Sequence, residues 1–260
     1  MRTTFVLFLS LIISYGTNLY SQDLNSSKKY YSEKFITLIE NVHSDPNVIK
    51  EEIYNLSIKN QTRVLSYEEA RKELFGNLFL ENLGNNKYEI KDVYCNIRID
   101  QKSGAGPGNI PSQKVINCEH TWPQSKFSKS FPAEMQKTDL HHLFPVDMKA
   151  NSTRGNNPFA EVKGVPTHAD CSDSQIGQSI DGNLKSFEPP VEHRGNVARA
   201  MYYFSTRYKM PIDASQARFL KKWNNEDPVD QEEQKRNDKI MALQGNRNPF
   251  VDHPELIDQL

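Results

Sequence analysis

The chain has 260 residues, 37% hydrophobic and 25% charged, enough apolar material for a sizeable core and too little charge for global disorder. Its 32 basic side chains face 33 acidic ones, a formal net charge of -1. That balance excludes a bulk polycation, so any surface for nucleic acid must be a local patch or depend on a metal ion.

Met1-Arg2 precedes the apolar run from Phe5 to Ile13, which is too short to span a bilayer comfortably. Gly16, Thr17, Asn18, Ser21 and Gln22 follow, so residues 1–21 read as a secretory signal peptide cut near Ser21, with an uncleaved anchor as the alternative. No other span could cross a membrane. The expected mature chain is therefore residues 22–260, off the membrane, secreted or periplasmic. Export allows one disulfide among Cys95, Cys118 and Cys171, and the sequence leaves all three pairings open. None of these cysteines has the CxxC spacing of a zinc site.

Tyr31, Phe35, Leu38, Ile39 and Val42 recur at helical spacing, with Asn25-Ser26-Ser27 as the expected cap. Val93, Cys95, Ile97 and Ile99 alternate with Asp92, Tyr94, Asn96 and Arg98, the period of a half-buried strand. Ser103 to Gly108 is a loop by composition, and Lys114–Cys118 and Leu143–Val146 read as two more strands. Residues 151–187 are rich in Asn, Ser, Gly and Asp and read mostly as loop. Val197, Met201, Phe204 and Tyr208 mark a helix. A last helix is expected to start at Asp227-Pro228 and stop at Gly245. Helices mixed with irregular strands, without repeats or a linker, predict a single α+β domain rather than a doubly wound sheet.

Two polar stretches do not look like packing. One is Asn117-Cys118-Glu119-His120-Thr121-Trp122-Pro123-Gln124-Ser125. The other is Asp139-Leu140-His141-His142-Leu143-Phe144-Pro145, continuing to Asn151-Ser152-Thr153-Arg154-Gly155-Asn156. Three of the seven histidines fall between residues 120 and 142. Adjacent strand residues point to opposite faces, so Glu119 and His120 serve one site only if the chain bends or an ion lies at the strand end. A carboxylate beside a histidine suits metal-assisted hydrolysis: the hard oxygen holds a cation such as Mg²⁺, and the imidazole takes a proton from water. Asn151, at the start of a helix, could add a second oxygen. A zinc site of His120, His141 and one cysteine is the rival arrangement. The bland readings are a surface His141-His142 pair, a capping role for Asp139, and core positions for Trp122 and Phe144.

These ordered motifs resemble the bacterial endonuclease I family, exported non-specific nucleases with a ββα-metal (His-Me finger) core. The likeness continues through Phe187-Glu188-Pro189-Pro190, Arg194 to Tyr203, and Gln244-Gly245-Asn246-Arg247-Asn248-Pro249-Phe250-Val251-Asp252. It is collinear from about residue 90 to the C-terminus, whereas residues 22–85, expected to be helical, match only loosely. The resemblance implies a ββα-metal core among helices and long loops. It implies Glu119 and Asn151 as ligands of one divalent ion, Mg²⁺ with Mn²⁺ or Ca²⁺ as substitutes, and His120 as the general base. It further implies products with 5′-phosphates, Arg154 and Arg199 gripping phosphate, and Asp139, His141 and His142 in support. Some family members have Asn in place of His142 and carry several disulfides.

The charge pattern fits that expectation. From Lys102 to Arg154 the chain carries +3 against -1 overall, and a locally positive cleft is what a phosphate backbone needs. Nothing resembles a recognition helix, so the expected partner is DNA, and RNA as well, without strong sequence preference, bound by a monomer. The alternatives are an inactive exported polyanion-binding protein and a zinc-dependent phosphoesterase.

Overall fold

The computed structural model describes residues 27–41 and 43–260. The export segment, Asn25 and Ser26 of the expected cap, and Val42 lie outside the described residues. Two compact units divide at Ser44. The first contains α1 (Glu33–Glu40), which starts at Ser32 rather than at Asn25-Ser26-Ser27, because the Ser32 hydroxyl accepts from the Phe35 amide across 3.2 Å.

The second unit, from Asp45 to Leu260, is α+β, with three small antiparallel sheets among helices in the described residues. It opens with α2 (Pro46–Lys59) and α3 (Tyr67–Glu73), the latter held by a Ser66–Glu69 capping box. The chain then forms β1 (Leu80–Gly84), β2 (Lys87–Lys91) and β3 (Arg98–Asp100) in the order β1-β2-β3. Leu74, Phe75 and Leu78, just after α3, pack with Ile90, Ile99 and Ile116 in one buried cluster.

The strand expected across Val93–Ile99 shrinks to β3. Asp92 explains this: its carboxylate accepts from the amides of Tyr94 and Cys95 at 2.9 Å and of Ile97 at 2.8 Å. Those donors are spent on a local turn and cannot join a ladder. The same turn is tied down by a disulfide, Cys95–Cys171, across a sequence separation of 76.

β4 (Ile116–His120) and β5 (Leu143–Asp147) form a two-stranded antiparallel sheet in which Glu119 pairs with Phe144 and His120 with Leu143. β4 runs two residues beyond the expected end at Cys118, so Glu119 and His120 are themselves strand residues. α4 (Ala133–Lys137) and the tight turn Leu140–His142 lie between the strands, and α5 (Met148–Arg154) follows β5 directly.

The expected loop over residues 151–187 is corrected by an antiparallel meander of β6 (Val162–His168), β7 (Cys171–Ser179) and β8 (Lys185–Glu188). Its strands are mostly polar and only partly buried, so no apolar alternation announces them. α6 (Arg194–Arg207) is buried along most of its surface and packs against α2, α7 (Ala214–Glu226) and α9 (Pro249–Asp252). α8 (Gln231–Gln244) starts from Asp230, whose side chain accepts from the Glu233 amide at 2.7 Å, not from Asp227-Pro228. Asp227 instead accepts from the Gly195 amide at 2.8 Å. Gly245 stops α8 in a left-handed conformation, and a Cβ there would meet the Asn60 carbonyl at 2.4 Å. α10 (Leu256–Gln259) closes the fold. No described helix is long and apolar enough to cross a membrane.

Candidate active site

β4 ends on Glu119-His120, and the pleat sends their side chains to different surroundings. Glu119 is 3% exposed. Its Oε1 accepts from the Tyr94 hydroxyl at 3.0 Å and lies 3.1 Å from Nη1 of Arg154. Burial raises this carboxyl above its ordinary range, and the Arg154 cation and Tyr94 hydroxyl offset only part of that effect.

His120 faces the other way, with its ring centroid 5.4 Å from that of His142 and 6.0 Å from that of Tyr67. Its Nε2 lies 3.0 Å from the Lys137 carbonyl and its Nδ1 lies 3.2 Å from the Gln124 amide nitrogen. A carbonyl only accepts, so Nε2 carries the hydrogen and Nδ1 keeps its lone pair. Burial, reinforced by His142, pushes the imidazole down to about 3, which leaves it neutral near pH 7.

α5 carries Asn151 and Arg154 three residues apart, on one helix face. Asp147 caps this helix through Oδ1, which accepts from the Lys149 amide at 2.8 Å and the Ala150 amide at 2.9 Å. The Asp147 amide in turn donates to Asp92 at 3.0 Å. One carboxylate, Asp92, thus anchors both the turn that presents Tyr94 and the start of the helix that presents Asn151. Arg154 is 1% exposed and spans the gap back to β4, donating to the Thr121 carbonyl at 2.7 Å and the His120 carbonyl at 3.3 Å. Asn151 is half-buried.

Asp139, His141 and His142 are all buried, so the surface reading of the histidine pair is wrong. Asp139 lies 3.1 Å from Arg207 Nε and accepts from the hydroxyls of Tyr203 at 3.0 Å and Tyr208 at 2.9 Å and from Gln244 at 2.9 Å. Burial alone would raise its carboxyl, but Arg207 and the two histidines outweigh that and hold it low. His142 donates from Nε2 to the Gln136 carbonyl at 2.7 Å, and His141 from Nε2 to the Asn246 carbonyl at 3.1 Å. Gln244 and Asn246, part of the last sequence motif, thus hold the turn between α4 and β5.

Arg199 does not meet the other candidates. It is 1% exposed, and its Nε donates to both Glu233 oxygens at 2.9 Å while Nη1 donates to the Asp227 carbonyl at 2.9 Å. Every face of this guanidinium is occupied by a strut between α6 and α8, which corrects the expectation that it grips phosphate. The zinc arrangement is not assembled either. His120 and His141 bond different carbonyls through Nε2, and burial pushes the Cys118 thiol up to about 12. Among the described residues, the His/Cys/Asp/Glu group close enough to share a metal is Cys95, His168 and Cys171, two of which are disulfide-bonded.

The sequence reading misses Tyr94 and Asp92, and it gives Gln124 no role although that residue stands in the first polar stretch. Tyr94 sat on the polar face of an expected strand, where an exposed phenol is unremarkable. Asp147 had a signal, an Asp just before a helical segment.

A two-stranded antiparallel sheet that ends in a buried carboxylate and a neutral, oriented imidazole, followed by a short helix, places two candidate acid–base groups at one strand end of an α+β protein. The chain belongs to the Endonuclease I family, whose model matches residues 47–255. It is 35% identical over 182 residues to an extracellular ribonuclease of Bacillus amyloliquefaciens, covering 62% of this chain and 58% of that protein. An extracellular deoxyribonuclease of Aeromonas hydrophila is 29% identical over 61% of this chain and 78% of its own length. A periplasmic deoxyribonuclease of the same organism is 30% identical over 61% of this chain and 76% of its own. The chain therefore spans less than two thirds of the ribonuclease it matches.

Proposed function

We propose that this chain is an exported, divalent-metal-dependent endonuclease that hydrolyses phosphodiester bonds of DNA and RNA without strong sequence preference and leaves 5′-phosphates. The observation that carries the reading is the His120 ring: the Lys137 carbonyl fixes its tautomer, so Nδ1 keeps its lone pair, which accepts from the Gln124 amide and is the position that would take a proton. Family membership and relatives named for both ribonuclease and deoxyribonuclease activity support the substrate class. Their extracellular and periplasmic names support release from the cytoplasm.

The donor set fits a hard cation. The Tyr94 and Arg154 contacts to Glu119 both fall on Oε1, and the Glu119 carboxylate and the Asn151 amide oxygen would be the two protein ligands. Two protein oxygens with water filling the remainder suit Mg²⁺, with Mn²⁺ or Ca²⁺ as substitutes. When bound, such an ion supplies charge stabilisation to the phosphorane-like transition state and the leaving 3′-oxygen. In this reading His120 Nδ1 removes the proton from the attacking water, and the Gln124 amide on Nδ1 yields its place to that water. Tyr94 holds Glu119. Arg154 steadies the same carboxylate and extends positive charge toward a phosphate at the ion. The Asp139 cluster, with His141 and His142, fixes the turn that carries the Lys137 carbonyl's neighbours.

Plasmid and RNA digestion with and without a chelator tests this. His120→Ala should lose at least about 10²-fold in rate, the scale of a positioned general base, and Glu119→Ala should fail likewise. A His120→Ala protein that cuts at the wild-type rate overturns the mechanism. Binding without nicking in Mg²⁺ would mark an inactive polyanion-binding protein instead.

A further inference from the structure

Lined in part by Arg154, the fold leaves a cavity of about 480 Å³, within the size range of small-molecule sites. Trp122, Pro158, Met201 and Ile212 give it an apolar wall, and Lys126 and Lys185, both exposed, line it as well. The wall is rigid: the Trp122 ring stacks on Phe204 at 5.2 Å, and its Nε1 donates to the Lys126 carbonyl at 3.0 Å. That last bond also sets the backbone from which Lys126 projects.

Lys126 Nζ donates to the Asn156 carbonyl at 3.0 Å, and among the described residues it forms no ion pair with a carboxylate. Partial burial and the nearby Arg154 charge hold its ammonium below its ordinary value. Asp213, the carboxylate lining the cavity, caps α7 by accepting from the Ser215 amide at 2.9 Å. Two exposed lysines and one committed carboxylate against an apolar wall match a sugar and its flanking phosphate. Arg154 connects this cavity to the site, since it lines the one and lies 3.1 Å from Glu119 in the other.

We infer that this cavity is a backbone subsite, taking the sugar next to the bond being cut against the Trp122 wall and the adjoining phosphate on Lys126 and Lys185. The inference rests on the nuclease reading for its substrate, whereas the binding arm of its test stands apart from cleavage. Binding of a short labelled oligonucleotide is measured in chelator across a salt series, beside kcat and KM in Mg²⁺, for wild type, Lys126→Ala, Lys126→Arg and Lys185→Ala. Lys126→Ala should weaken binding about 3- to 10-fold and flatten the log–log salt slope by about 0.7 to 0.9, one phosphate contact. KM should rise with kcat unchanged, Lys126→Arg should restore both, and Lys185→Ala should act in the same direction. Wild-type slope and KM in Lys126→Ala overturn the subsite, as does a loss confined to kcat. If wild type binds with a Lys126-dependent slope yet never cuts, the subsite stands and the nuclease reading falls.

Discussion

Tyr94 donates its phenolic hydrogen to Glu119 Oε1 across 3.0 Å, from a turn that Asp92 and the Cys95–Cys171 disulfide hold in place. A hydrogen bond to a ligating carboxylate orients it and tunes its affinity, and losing such a partner typically costs about 10- to 100-fold. Tyr94→Phe keeps the ring's packing on Phe187 and removes only the donor. Its activity should fall about 10-fold at limiting Mg²⁺ and recover at high Mg²⁺. A metal titration of rate checks this, and an unchanged half-saturation concentration would show that Tyr94 merely packs.

Arg154 and Glu119 form an ion pair with side chains 1% and 4% exposed. Removing one member of a buried pair strands the other, at about 3–5 kcal/mol. Arg154→Ala also leaves the Thr121 and His120 carbonyls without that donor. The urea midpoint should drop accordingly, with Arg154→Lys in between because an ammonium cannot reproduce the fork. An Arg154→Ala protein of wild-type stability that binds substrate poorly would instead make this residue a phosphate grip alone.

Burial holds His141, His142 and His193 down, to about 3, 4 and 3. In the unfolded chain they titrate near 6.5, so between about 6.5 and these folded values the unfolded state binds protons the folded state refuses. Stability from these groups is complete above about pH 6.5 and is lost as pH falls, at about 1.4 kcal/mol per pH unit for each histidine. Urea midpoints should therefore decline between about pH 7 and pH 5. His193→Phe, at a site ringed by Phe144 at 4.7 Å and Tyr94 at 6.1 Å, should make the decline shallower. A slope that His193→Phe leaves unchanged rules this residue out as a contributor.

The Cys95–Cys171 link closes a loop with a sequence separation of 76. Chain-entropy arguments give a cross-link of that span about 4 kcal/mol. The double variant Cys95→Ser, Cys171→Ser should lose about 2–5 kcal/mol in chemical denaturation. Because the link also fixes the Tyr94 turn, it should need more Mg²⁺ for half-maximal rate. Thiol titration of the native protein should report Cys118 only after unfolding.

The candidate site was legible as polar density local in sequence: Glu119-His120 and the Asp139–His142 run stand out from the apolar pattern, although the structure gives Asp139, His141 and His142 buried structural partners. Gly245 likewise announced the end of α8, since a left-handed stop favours glycine. Asp92 defeated the strand pattern because its carboxylate competes for amides that alternation assigns to a ladder. The β6–β8 meander stayed hidden because mostly polar, partly buried strands carry no period-two apolar signal. Arg199 looked like a phosphate ligand because sequence shows its charge but not Glu233, thirty-four positions away, that neutralises it.

The amino-acid sequence by itself determined the α+β class, the helix around Val197–Tyr208, the strand from Leu143, and the polar stretches that hold the candidate site. These follow from periodicity, capping and composition, which act over a few residues. Tertiary structure decided which cysteines pair, that Asp139 anchors a buried cluster, that Arg199 is a strut, and that Tyr94 and Arg154 share one oxygen of Glu119. Those outcomes depend on partners twenty-five to over one hundred positions apart, and only burial, which makes an unpaired polar group costly, selects among them.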